Sequence, residues 1–96
     1  MGEKQEKPAV LDVPQPRTCT PPPYKVILHN DDVNDIDYVI ETIRRLTPLN
    51  ETQAMEKAYE ANDKGLSVLL VCHKERAELY AEQFQSCGLT ITIEPD

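Results

Sequence analysis

Short acidic and amide side chains crowd one stretch of this 96-residue chain, His29-Asn30-Asp31-Asp32-Val33-Asn34-Asp35. Asn and Asp hydrogen-bond their own backbone, so the stretch makes a turn, with Asn34 as the N-cap of a following helix. The same groups form a cluster of acceptors suited to a cation or a protonated amine. Calcium is a poor fit. Asn30, Asp32, Asn34 and Glu41 fall at positions 1, 3, 5 and 12 of an EF-hand-like loop, but position 6 is Asp35 where that loop needs Gly. Ile36, Val39 and Ile40 also demand helix where the loop would still run. Cys72 and His73 are the other reactive pair, and as neighbours on a strand they point apart. No third residue is placed to orient the imidazole as a base. Cys72 and Cys87 therefore read as core thiols and His73 as a surface residue at a helix start. Phosphate loops, nucleophile elbows and metal-ligand spacings are absent from the sequence. The chemistry on offer is binding rather than catalysis, and no cofactor is expected.

The elements that hold the turn follow from periodicity. Tyr24 to His29 (YKVILH) alternates Tyr24, Val26 and Leu28 against Lys25, Ile27 and His29, as a strand does. Ile36, Val39, Ile40, Ile43 and Leu46 recur at helical spacing, with Asp35 and Asp37 in the first turn, Arg44 and Arg45 in the last, and Thr47-Pro48 as a stop. A second helix starts at Asn50, which with Gln53 makes a capping box. Its inner stripe is Ala54, Met55, Ala58 and Ala61, and Gly65 closes it. Leu66 to Cys72 (LSVLLVC) is a nearly continuous apolar run, as expected of a central strand. Residues 74–87 make a third helix with Ala77, Tyr80, Ala81 and Phe84 inward, and Gly88 ends it. Leu89, Ile91 and Ile93 alternate in a last strand. The order β-α-α-β-α-β predicts a two-layer α/β (α+β) sandwich, three strands with three helices on one face.

Residues 1–23 hold six of the eight prolines and no apolar period, so they read as a flexible Pro-rich tail before a core domain at 24–96. Seventeen acidic against ten basic residues give a formal charge of −7, a poor match to nucleic acid or an anionic membrane. Three cysteines without framework spacing do not make a disulfide scaffold. The chain shows no signal-peptide run and nothing near the ~20 apolar residues of a membrane span. A soluble, cytoplasmic monomer is expected.

At Tyr24–Asp32 the residues reach a known pattern. YKVILHNDD closely resembles the YKVxLxNDD segment of the ClpS adaptors of the Clp protease, which is also preceded by prolines. The similarity extends over residues 22–94, through the helix that follows, a later Gly, the apolar strand, Ala77-Glu78 in the third helix and the last strand. The resemblance implies an adaptor that binds proteins whose first residue is Leu, Phe, Tyr or Trp, the N-end-rule substrates, and hands them to the AAA+ unfoldase (ClpA or ClpC) of the Clp protease. It gives residues 1–23 the task of engaging the unfoldase pore.

Position by position, the resemblance implies that Asn30 and Asp31 hold the substrate's α-amino group, a cation with three donors, while Asp32 supports the turn. Asn34, where the family often has Thr, would bond the first peptide group. Val39, Ala58, Ala61 and Leu89 would line the pocket for the first side chain, and Ile36 stands where a gatekeeping Met usually sits. The family's Val-His-x-x-Gly reads Ala61-Asn62-Asp63-Lys64-Gly65 here, so Asn62 takes the place of the amine-binding His, and Ala58 that of a pocket Met. Two alternatives stay open. One is a divergent member that binds the unfoldase without recognising N-terminal residues. The other is a translation-related interaction module, since the fold is similar to the C-terminal domain of the ribosomal stalk protein, which lacks the NDD turn.

Overall fold

A computed structural model describes residues 21–96. The part of the expected tail at residues 1–20 lies outside the described residues. The elements run β1 (Tyr24–His29), α1 (Ile36–Leu46), α2 (Glu51–Lys64), β2 (Leu66–Cys72), α3 (Lys74–Ser86) and β3 (Ile91–Pro95). This is the β-α-α-β-α-β order, and the sheet is three-stranded and antiparallel throughout.

The sheet order is β2-β1-β3, so β1 is the central strand and β2 lies at an edge. This corrects the central place expected for LSVLLVC. The run carries a register irregularity opposite Val26 and Ile27, and two of its apolar residues, Leu66 and Val71, are 47% and 46% exposed. Val26 and Leu28 of β1 face the helices and are sealed from solvent, and the core gathers Val39, Ile43, Ala54, Ala58, Ala61, Leu69, Ala77, Phe84, Leu89 and Ile91 around them. Burying such side chains is worth about 1.5–3 kcal/mol each for the larger aliphatic and aromatic ones. Helix α1 packs on α2, α2 on β2, and α3 on β3 and β1.

Local signals fix the helix ends. Asn50 and Gln53 form the reciprocal capping box: Gln53 N donates to Asn50 Oδ1 at 2.8 Å and Asn50 N donates to Gln53 Oε1 at 3.0 Å. Gly65 ends α2 in the left-handed region at φ 93°, with its N–H donated to the Ala61 carbonyl at 2.9 Å. That conformation costs a residue with a Cβ about 1–2 kcal/mol. Met55 lies 40% exposed rather than in the inner stripe, because Ala54, Ala58 and Ala61 already define the buried face of α2. Helix α3 ends at Ser86 and β3 begins at Ile91, leaving Leu89 buried in the connection instead of within the strand. No helix among the described residues is long and apolar enough to cross a membrane.

Candidate functional site

The sheet's central strand delivers the acidic turn to the helical layer. At the end of β1, His29 N donates to the Thr90 carbonyl at 3.0 Å and Asn30 N donates to the Gly65 carbonyl at 2.9 Å. The strand's last residues are thus tied to both flanking connections, α2–β2 on one side and α3–β3 on the other. His29 also meets Thr92 Oγ1 through Nε2 at 2.7 Å, which turns its ring toward β3.

Asp31 organises the turn. Its Oδ1 accepts from the Val33 N–H at 2.7 Å and the Asn34 N–H at 3.2 Å, and its Oδ2 accepts from the Asn34 carboxamide at 2.5 Å. Partial burial pushes the carboxyl up, but the Asn34 side chain and the two backbone N–H groups outweigh it and hold Asp31 below its ordinary value of 3.8. A carboxylate has about four lone-pair positions. Three are used inside the turn, and the fourth, on Oδ2, remains for a ligand. The turn-supporting role expected of Asp32 therefore belongs to Asp31. Asp32 is exposed and only receives a long 3.4 Å contact from Asn30 Nδ2.

Asn34 is not the N-cap of α1. That place falls to Asp35, whose side chain makes no cap bond. The Asn34 carboxamide instead bridges from Asp31 to the Gly88 carbonyl, 3.1 Å away and 54 positions along the chain. Two further side chains of α1 reach the same connection. Tyr38 Oη donates to the Cys87 carbonyl at 2.7 Å, and Arg45 Nη2 meets Cys87 Sγ at 3.3 Å. Cys87 is half-buried at the end of α3 and outside the core cluster, contrary to its reading as a core thiol. Cys72 does pack against the core, and burial there pushes its thiol up, with Arg76 partly offsetting the shift.

A small cleft of about 40 Å³, open to solvent, lies between this turn and the first two helices. Its lining brings together Leu28, Asn30, Asp31, Asn34, Ile36, Val39, Ala58, Ala61 and Asn62, with His29 beside them. Leu28, Val39, Ala58 and Ala61 are buried and form an apolar floor, Ile36 is half-buried beside them, and Asn30 and Asn62 are exposed at the mouth. Of the ten expected site residues, Asp32 and Leu89 do not border the cleft. Leu89 is 3% exposed in the core between α3 and β3. The anchoring carbonyl of Gly88 was missed by sequence reasoning; the only trace of it is a Gly at a helix end, the usual mark of a C-terminal cap. The volume is far below the ~300–1,000 Å³ typical of pockets for drug-sized ligands. It suits one side chain and a terminus rather than a large ligand.

Three comparisons bear on this arrangement. The model of the family described as "ATP-dependent Clp protease adaptor protein ClpS" matches residues 19–92. The chain is similar to the Clp protease adapter protein ClpS of Synechococcus sp. strain CC9902, 46% identical over 90 residues that cover 92% of this chain and 86% of the relative. The ClpS of Synechococcus elongatus is 40% identical over 93 residues, covering 92% of this chain and 98% of the relative. In structure the chain is similar to Agrobacterium tumefaciens ClpS2 bound to L-phenylalaninamide, with TM-score 0.76 and 28% identity over 79% of this chain and 99% of that one.

Proposed function

Because the chain belongs to the ClpS family of Clp protease adaptors, we propose that its cleft captures proteins with a bulky apolar first residue and presents them to a Clp ATPase of the ClpA or ClpC type. One observation carries the proposal. Amide and carboxylate acceptors at the cleft mouth stand over an apolar floor, where the turn after the central strand meets α1 and α2. A free α-amine needs fixed acceptors, and Asn30, the spare position on Asp31 Oδ2 and Asn62 offer them. The first side chain enters over Val39, Ala58 and Ala61, and Ile36 stands at the rim. The structure of Agrobacterium ClpS2, with its bound L-phenylalaninamide, supports this reading, since that compound joins a free amine to an aromatic side chain.

Ala58 leaves the floor shallow in side chains, so the cleft takes its shape from Leu28 and Val39 rather than from a flexible thioether. The chain acts as an adaptor and not as an enzyme, and residues 24–96 are the part that holds substrate. The test is fluorescence anisotropy of the protein with short peptides that begin with Leu, Phe, Tyr or Trp, each paired with its N-acetylated copy. Saturable binding that disappears on acetylation is expected. If no peptide binds, substrate capture is wrong, and a regulator that engages the Clp ATPase alone becomes the better account.

A further inference from the structure

We propose that Asn34 is the positioning residue of the amine site: it gives both carboxamide N–H groups away, to Asp31 and to the Gly88 carbonyl, and so aims the Asp31 carboxylate while leaving itself only an acceptor for the ligand. This rests on the amine-binding reading above and deepens it.

The orientation of the carboxamide follows from its partners. Asp31 Oδ2 and the Gly88 carbonyl are both acceptors, and both lie within hydrogen-bond distance of the same Asn34 nitrogen. Reversing the amide would set its oxygen against two other oxygens, so the NH₂ group must face them. An NH₂ group has two hydrogens, and each is now assigned. Only Oδ1 is left, which can receive an N–H from a bound peptide or ammonium and can donate nothing.

The Gly88 end makes the clamp rigid. Gly88 closes α3 at φ 87°, and its carbonyl belongs to the connection that also takes the Tyr38 hydroxyl and meets Arg45. Asn34 is half-buried, and its amide spans from a mobile kind of element, a turn, to the end of a packed helix. Asp31 then has one carboxylate oxygen filled by the turn's own N–H groups and the other held by Asn34 at the cleft lining. Thr at this position has a single hydroxyl hydrogen and could serve one of the two acceptors at a time. The bridge is a property of Asn.

Charged groups around Asp31 do not substitute for the clamp. His29, at the end of β1, is turned to Thr92. Asp32 and Asp35 share the turn and Asp37 starts α1, all of like sign. At the end of α2, Lys64 pairs with Glu60, and Asp63 is again acidic. None of the ion pairs among the described residues includes Asp31.

Two variants test the assignment. Asn34→Ala removes the clamp, and Asn34→Asp keeps the shape and the acceptor but puts oxygens where both donors stood. A residue that served only as a ligand acceptor would tolerate Asn34→Asp, or bind a cationic amine more tightly for the added charge. Under the clamp, Asn34→Asp binds a Phe-first peptide about tenfold more weakly or worse, the scale of one lost hydrogen bond to a charged group. The second readout needs no peptide. Carboxyl-carbon NMR titration of Asp31 is expected to move to higher pH in both variants. Asp31 titrating at the wild-type position in both, or Asn34→Asp binding as well as wild type, would overturn the clamp. If the wild-type protein binds no free-amine peptide, the proposed function fails, while the ligand-free titration still decides the role of Asn34.

Discussion

Ala58→Met should raise or hold the stability of the fold while weakening peptide capture, a pairing of signs that few core substitutions give. Ala58 is 2% exposed yet lines the cleft floor beside Leu28, Val39 and Ala61. Methionine adds three heavy atoms beyond Cβ, which fill the cleft of about 40 Å³ and reach toward its open mouth. Buried at about 0.8 kcal/mol each they contribute about 2 kcal/mol. Ordering a Met side chain costs up to about 1.5–2 kcal/mol, so the net lies between zero and about 1 kcal/mol in favour of the fold. For a domain of this size that is a rise in thermal midpoint of at most about 4–8 °C. A peptide's first side chain would have to displace the thioether and forfeit that same net of up to about 1 kcal/mol, at most about fivefold in affinity. Thermal unfolding with and without a saturating Phe-first peptide measures both halves. A loss of about 1–3 kcal/mol in the free protein, the signature of overpacking, would show that Ala58 faces closed core and that the cleft floor is drawn wrongly.

Asn62→His should strengthen binding of free-amine peptides severalfold near neutral pH, measured by anisotropy against the acetylated copies, because a neutral imidazole reaches further over the mouth than the exposed Asn62 amide. Asn50→Ala should cost about 1 kcal/mol in urea unfolding by removing the capping box of α2, with peptide affinity unchanged. Gly65→Ala meets no atom within 4 Å, so its cost is the strain of a Cβ at φ 93°, about 1–2 kcal/mol, and it should also weaken peptide binding because the Gly65 carbonyl holds Asn30. Asp31 titrates below 3.8 when folded, so its stabilising contribution is present in full above that unfolded value and fades as pH falls through the lower folded one. Glu60, lowered by the Ser67 hydroxyl against desolvation and helped by Lys57 and Lys64, carries the same sign. Asp31→Asn should therefore flatten, without abolishing, the acid limb of a urea-midpoint profile as pH falls below 3.8; an unchanged limb would show that the turn's hydrogen bonds do not favour the charged form.

The residues that interact locally were the legible ones. The capping box at Asn50–Gln53 and the Gly65 stop depend on groups three or four positions apart, and the structure contains both. The apolar period of β1 likewise places Val26 and Leu28 inward. The order of the strands was not legible in the same way. LSVLLVC is as apolar as a central strand, but a strand's neighbours are decided by how the α1–α2 and α3 connections wrap, and these put β1 in the middle. The edge shows only in the exposure of Leu66 and Val71. The inward stripe of α2 was overfilled for a related reason: Met55, one position after Ala54, is turned by about 100° on the helix away from the buried face.

The site divides along the same line. Its acceptors could be picked out in sequence because their types are dense in one turn, but their division of labour could not. Asp31 and Asp32 are equal as symbols. In the fold, only Asp31 lies within reach of the Val33 and Asn34 N–H groups and so becomes the organiser. Asn34 satisfies every local rule for an N-cap, but the helix starts one residue later, with Asp35 at the cap position, and the Asn34 NH₂ group donates instead to Asp31 and to the Gly88 carbonyl that the α3–β3 connection brings near. A neutral double donor in a cluster of carboxylates gains by bridging two acceptors, one of them charged. This makes the acidic turn a preorganised acceptor rather than a loose patch of charge. Without the bridge, its like charges would repel and a bound ammonium would have to gather them itself. With it, the ordering is complete before the ligand arrives, and the amine meets a carboxylate already held.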